Sequence, residues 1–157
     1  MKKSILNLGF SVCAALSGCS EPEVAIDPPS ILSVSDYDFT WNDKQAVSIS
    51  FGETQSNYCS TTIYRVSVVT GYKVSSQQNS RKEISTDCNW SGKYYMQSSK
   101  HSTSAKFELL SIDQKSKTAK AVVSVKLVES NSGEYFTLDN TALVISGEHF
   151  GHLTKKM

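Results

Sequence analysis

The sequence predicts an all-β fold, an antiparallel β-sandwich or small β-barrel of roughly seven to nine strands with one disulfide. Three observations carry this prediction. Apolar residues recur with a period of two, turn-forming residues fall between those runs, and no stretch beyond the N-terminal segment sustains a helical period. Sequence alone does not choose between sandwich and barrel.

The alternation opens at Ala46–Phe51, where Val47, Ile49 and Phe51 alternate with Ser48 and Ser50. Next, Thr62, Tyr64, Val66, Val68, Thr70, Tyr72 and Val74 occupy one face of an extended stretch. Ala105, Phe107 and Leu109 alternate with Lys106 and Glu108. The clearest row is Ala119, Ala121, Val123, Val125 and Leu127, set against Lys120, Ser124 and Lys126. Tyr135-Phe136-Thr137-Leu138 then leads to Leu143 and Ile145. A slip of one residue would turn each apolar row to solvent, so register is well specified. Asp113–Lys117, Glu129–Gly133 and Leu138–Asn140 read as turns between these runs, and Ser75–Ser80 as a polar loop.

The N-terminal segment has a different chemistry. Met1-Lys2-Lys3 is basic, Ile5–Leu16 is mostly apolar, and Leu16-Ser17-Gly18-Cys19 follows. That is the layout of a bacterial export signal whose apolar core is too short to span a bilayer permanently. The last four residues resemble the lipobox of bacterial lipoproteins at every position. The resemblance implies cleavage before Cys19, a diacylglycerol on its sulfur and an acyl chain, such as palmitate, on its amino group. Two or three chains anchor far more firmly than one. Ser20 stands where an Asp would commonly retain such a protein at the inner membrane, which implies the periplasmic face of the outer membrane. The expected organisation is a signal peptide over 1–18, a lipidated tether over 19–30, a single β domain over 31–150 and a polar tail over 151–157. The tether holds all three prolines, Pro22, Pro28 and Pro29, which stiffen it.

Past the signal the chain carries 14 Lys plus Arg against 15 Asp plus Glu. It is near neutral with no basic block, which argues against nucleic acid as a partner. Two cysteines remain beyond the anchor, Cys59 and Cys88. An even count in an oxidising compartment, without Cys-x-x-Cys spacing, favours a disulfide. Closing a loop of about 30 residues contributes about 3–4 kcal/mol in the chain-entropy account.

Sequence motifs for catalysis are absent: there is no Gly-x-Ser-x-Gly, His-Glu-x-x-His or phosphate-cradling glycine loop. Asp36-Tyr37-Asp38 opens like a calcium loop, but Trp41 and Val47 occupy the positions of its glycine and bidentate glutamate. Glu148-His149-Phe150-Gly151-His152 lacks a third fixed ligand, and His101 has serine neighbours but no nucleophile turn. No metal, cofactor or catalytic residue is therefore expected.

A disulfide would bring the neighbours of Cys59 and Cys88 together. Tyr58, Asn89, Trp90, Ser91, Tyr94 and Tyr95 then form a candidate contact surface, since Tyr and Trp offer rigid amphipathic area at low entropic cost. The same rings would otherwise simply pack over the bridge. Ser91-Gly92-Lys93-Tyr94-Tyr95 contains Ser-Gly-x-x-Tyr, which resembles the inserted loop of the membrane-bound lysozyme inhibitors, small lipidated β-barrels. The resemblance covers five residues and implies Ser91 and Tyr95 as the inserted pair. Tyr58 directly precedes Cys59, whereas that family opens with Tyr-x-Cys. The expectation is a non-catalytic protein-binding lipoprotein of immunity or inhibitor type. Alternatives are an accessory lipoprotein of a secretion or surface machine, and a barrel that holds an amphipathic ligand such as a lipid or bile salt.

Overall fold

The computed structural model describes residues 29–36, 38–77 and 83–156. The signal, the lipobox with Cys19, and the tether up to residue 28 lie outside them. In chain order the strands are β1 (Ser30–Val34), β2 (Phe39–Trp41), β3 (Lys44–Gly52), β4 (Tyr58–Tyr64) and β5 (Lys73–Gln77). There follow β6 (Ile84–Trp90), β7 (Lys93–Met96), β8 (Ser104–Asp113), β9 (Thr118–Glu129) and β10 (Tyr135–Ser146). A 3-10 turn, Arg65–Ser67, follows β4, and a helix, α1 (Gly147–Thr154), follows β10.

All pairings are antiparallel in one curled sheet with the order β1-β3-β4-β6-β7-β9-β8-β5. β10 lies on the other edge of β9, and β2 shares with β1 one edge of β3. The curl brings β1 toward β10, and α1 packs against both, giving a half-barrel with a helix at its seam. Nine of the strands have four residues or more; the three-residue β2 brings the sheet to ten.

The alternation in β3, β8 and β9 places its apolar rows inside, as the period-two pattern dictates. Val47, Ile49, Phe51, Phe107, Leu109, Val123, Val125 and Leu127 are buried, joined by Leu143 and Ile145 from β10. Cys59 and Cys88 face each other directly across β4 and β6, bonded with their Cα atoms 4.0 Å apart.

Four local expectations are corrected. Residues 62–74 are not one strand: β4 ends at Tyr64, and Val66 in the 3-10 turn is 67% exposed. The phase is also opposite, because Cys59, Thr61 and Ile63 are the inward residues of β4. Thr61 is accommodated because its hydroxyl bonds that of Thr86 at 3.1 Å. Thr86 N–H donates to Gln97 Oε1 at 3.0 Å, and Gln97 Nε2 donates to Ser76, so Thr61, Thr86, Gln97 and Ser76 form one interior hydrogen-bonded chain. Leu138–Asn140 is not a turn but an irregularity within β10, where the register on β9 shifts and Asn140 takes a φ of 47°. Ser75–Gln77 belong to β5, paired with β8.

The C-terminus also differs from its expected form. Residues 151–154, read as part of a polar tail, complete α1, and Phe150 and Leu153 enter the core. Three residues apart, they share the helix face turned to the sheet. Glu148 sits in the first turn, where a carboxylate complements the helix dipole.

Candidate functional site

The candidate residues lie at one end of the half-barrel, where β3 ends, β4 begins, and the β6–β7 and β9–β10 turns meet. Ser91 and Gly92 join β6 to β7 with φ values of 50° and 73°. Two positive φ values define the two-residue turn whose twist matches the flanking strands. The tip is held from outside the hairpin, since Ser91 N–H donates to Asn57 Oδ1 at 2.9 Å. Asn57 belongs to the β3–β4 loop, which is folded tightly over Gly52. A Cβ on Gly52 would lie 2.3 Å from the Asn57 carbonyl oxygen, so only glycine fits there.

The strand pleat divides the six candidates between two faces. Trp90 follows Cys88 on the inner face, and Tyr95 stands opposite Cys88 in register. Both rings meet Phe136 of β10 in tilted contacts, at centroid distances of 5.2 and 5.3 Å. Tyr95 is only 5% exposed. Tyr95 belongs to the core cluster that contains Cys59 and Cys88, and Trp90 and Phe136 pack against that cluster. Tyr58, Asn89 and Tyr94 form a cross-strand row on the outer face. Asn89 Nδ2 donates to the Tyr58 hydroxyl at 3.1 Å, and Tyr94 beside them is 46% exposed. Tyr58 also borders a surface depression of about 290 Å³ with Leu32, Ser33, Ser50 and Gln55. Ser91 is exposed at the tip.

Glu134, which the sequence reading missed, ties this hairpin to the β9–β10 turn. Its carboxylate accepts from Lys93 Nζ and, at 3.2 Å, from the Tyr95 hydroxyl. The Lys93 hydrogen bond and charge hold the Glu134 carboxyl below its ordinary range. Burial, followed by the charge of Glu134, raises the Tyr95 phenol. Glu129 braces the turn itself by accepting from Ser132 N–H and from the backbone and side chain of Asn131, and the Ser132 bonds lower its carboxyl. No local motif marked Asn57, Glu134 or Phe136, because each reaches the hairpin from another part of the chain.

The remaining polar candidates lie elsewhere. His101 meets the edge of Tyr135 at 6.4 Å, and that ring carries Lys126 Nζ 4.6 Å from its centroid. His149 and His152 sit on α1 with centroids 6.5 Å apart. Asp38 faces Lys155 at 3.5 Å. No protein family, curated protein or solved structure matches this chain.

Proposed function

We propose that the protein is a lipid-anchored envelope lipoprotein that works by binding another protein, without catalysis, as immunity and inhibitor lipoproteins do. Cys19 is the proposed anchor, on the outer membrane's periplasmic face. The single observation behind the binding role is the outer row Tyr58–Asn89–Tyr94 beside a hairpin tip braced by Asn57 and Glu134. An aromatic side chain on a rigid, stapled strand presents contact area with little entropy left to lose on binding, the property of interface anchors. Ser91 and Lys93 at the tip supply the polar rim, and Trp90 and Tyr95 support the surface from beneath.

The test is a photo-crosslinking residue placed at position 94 of the full chain in the cells that make it. The reading predicts one dominant adduct with a soluble periplasmic protein, whose purified form binds the native chain and loses about tenfold or more in affinity with Tyr94→Ala. Adducts only with subunits of a membrane complex would favour the accessory role instead. Separately, membrane release of Cys19→Ser is the expected result for the anchor; retention of that variant in the membrane fraction would refute it.

A further inference from the structure

The opposite end of the half-barrel holds a buried cation with unfilled hydrogen-bonding capacity. Arg65, the first residue of the 3-10 turn after β4, is 5% exposed. Its Nη1 donates to the His152 carbonyl at 3.0 Å and the Lys155 carbonyl at 3.5 Å, completing the C-terminal end of α1. Its Nε and Nη2 are buried with no hydrogen-bond partner, and among the described residues no carboxylate pairs with it. A buried charge without a counter-ion is unfavourable.

Arg65 also lines a pocket of about 380 Å³ between the 3-10 turn, the β8–β9 turn and the end of α1. Lys155 and Lys156 line it as well, with Gln114 and Thr154, while Val68, Ile112 and Leu153 make its apolar part. Three cations and no acid line the space; Lys155 is shared with exposed Asp38 outside it. Beside Val68 the chain presents Val66 and Val69, 67% and 54% exposed.

We propose that this pocket binds a phosphate group, either free or as the headgroup of a phospholipid. A phosphate monoester carries close to two negative charges and three strong acceptor oxygens. That suits a guanidinium and two ammonium groups better than one carboxylate would. It would give Nε and Nη2 the acceptors they lack once the guanidinium tilts toward the pocket. The volume leaves room for the group that carries the phosphate, and Val66 and Val69 offer an apolar body somewhere to lie. The inference is independent of the contact surface at the other end.

The experiment titrates the full chain, held in non-ionic detergent, with sodium phosphate against sodium chloride at matched ionic strength. A second arm uses dihexanoyl phosphatidic acid below its micelle concentration. Saturable amide shifts confined to residues 65–69, 114 and 153–156 are expected in at least one arm. Equal affinities identify phosphate itself as the ligand, and tighter binding of the lipid identifies a headgroup with its apolar body. Because Arg65 also holds α1, the variants are Lys156→Glu and Gln114→Glu, on two different segments of the lining, each expected to weaken binding about tenfold. No saturable shift with either probe, or unchanged affinity in both variants, would overturn the proposal.

Discussion

The two ends of the half-barrel are held by different chemistry. At the hairpin end, a covalent bridge joins neighbouring strands, and Trp90, Phe136 and Tyr95 meet one another in or against the core cluster that holds it. At the helical end, α1 is held by Phe150 and Leu153 in the core and by Arg65 on its last carbonyls. The first end contains a bond that local fluctuation does not break. The second depends on a short helix that eight residues cannot stabilise without tertiary support. The bridge is therefore expected to hold the end where Tyr94 stands, and local opening to begin at α1, beside the cationic pocket.

The largest effect that separates these ends should come from the bridge. The double substitution Cys59→Ala with Cys88→Ala should lower stability by about 3–4 kcal/mol, read by denaturant unfolding. A loss under about 1 kcal/mol would mean the strands alone hold the hairpin end. Leu153→Ala should cost about 3 kcal/mol, because a fully buried side chain leaves a cavity behind. Hydrogen exchange should then accelerate first in α1 and leave Ile84–Trp90 protected; simultaneous acceleration would show that the two ends open as one unit.

Arg65→Met should cost less, about 1–2 kcal/mol, because lost bonds to two carbonyls are partly offset by relief of an unpaired buried charge. Gly92→Ala should cost about 1 kcal/mol through its positive φ, with no clash, since a Cβ there meets open space. Stability unchanged in Gly92→Ala would show that the turn can relax.

The smallest effect is electrostatic and confined to the β9–β10 turn. Glu129 and Glu134 both have carboxyls lowered in the folded chain. A lowered folded-state value means the bonds contribute fully above the unfolded carboxylate pKa of about 4.3 and are lost as pH falls through the lowered value. Protection of the Asn131 and Ser132 amides, measured against their intrinsic exchange rates at each pH, should therefore fall only in strongly acidic solution. Loosening that begins near neutral pH would contradict this assignment.

How much of this was legible in the sequence depended on periodicity and chain distance. The strict alternation of Val47–Phe51 and Ala119–Leu127 marked both strand and face, because polar and apolar residues had to separate there. The same rule failed at Thr62–Val74, where a satisfied threonine, Thr61, turns inward and valines occupy a turn. α1 was hidden because one apolar pair, Phe150 and Leu153, is too short a pattern to declare a helix. The pairing of Cys59 with Cys88 followed from their number and expected compartment. The division of the aromatic cluster was also present as parity: Trp90 is two residues from Cys88, and Asn89 one. Glu134 and Asn57 could not be found that way, since only the folded sheet brings them to the hairpin.

If the hairpin end carries the contact surface, the affinity of the crosslinked partner must separate two matched variants. Tyr94 and Val144 are exposed to the same degree, 46% and 44%, on different strands of one sheet. Tyr94→Ala should weaken binding about tenfold or more while Val144→Ala leaves it within about twofold. Equal losses in both variants, or loss only with Val144→Ala, would contradict the claim.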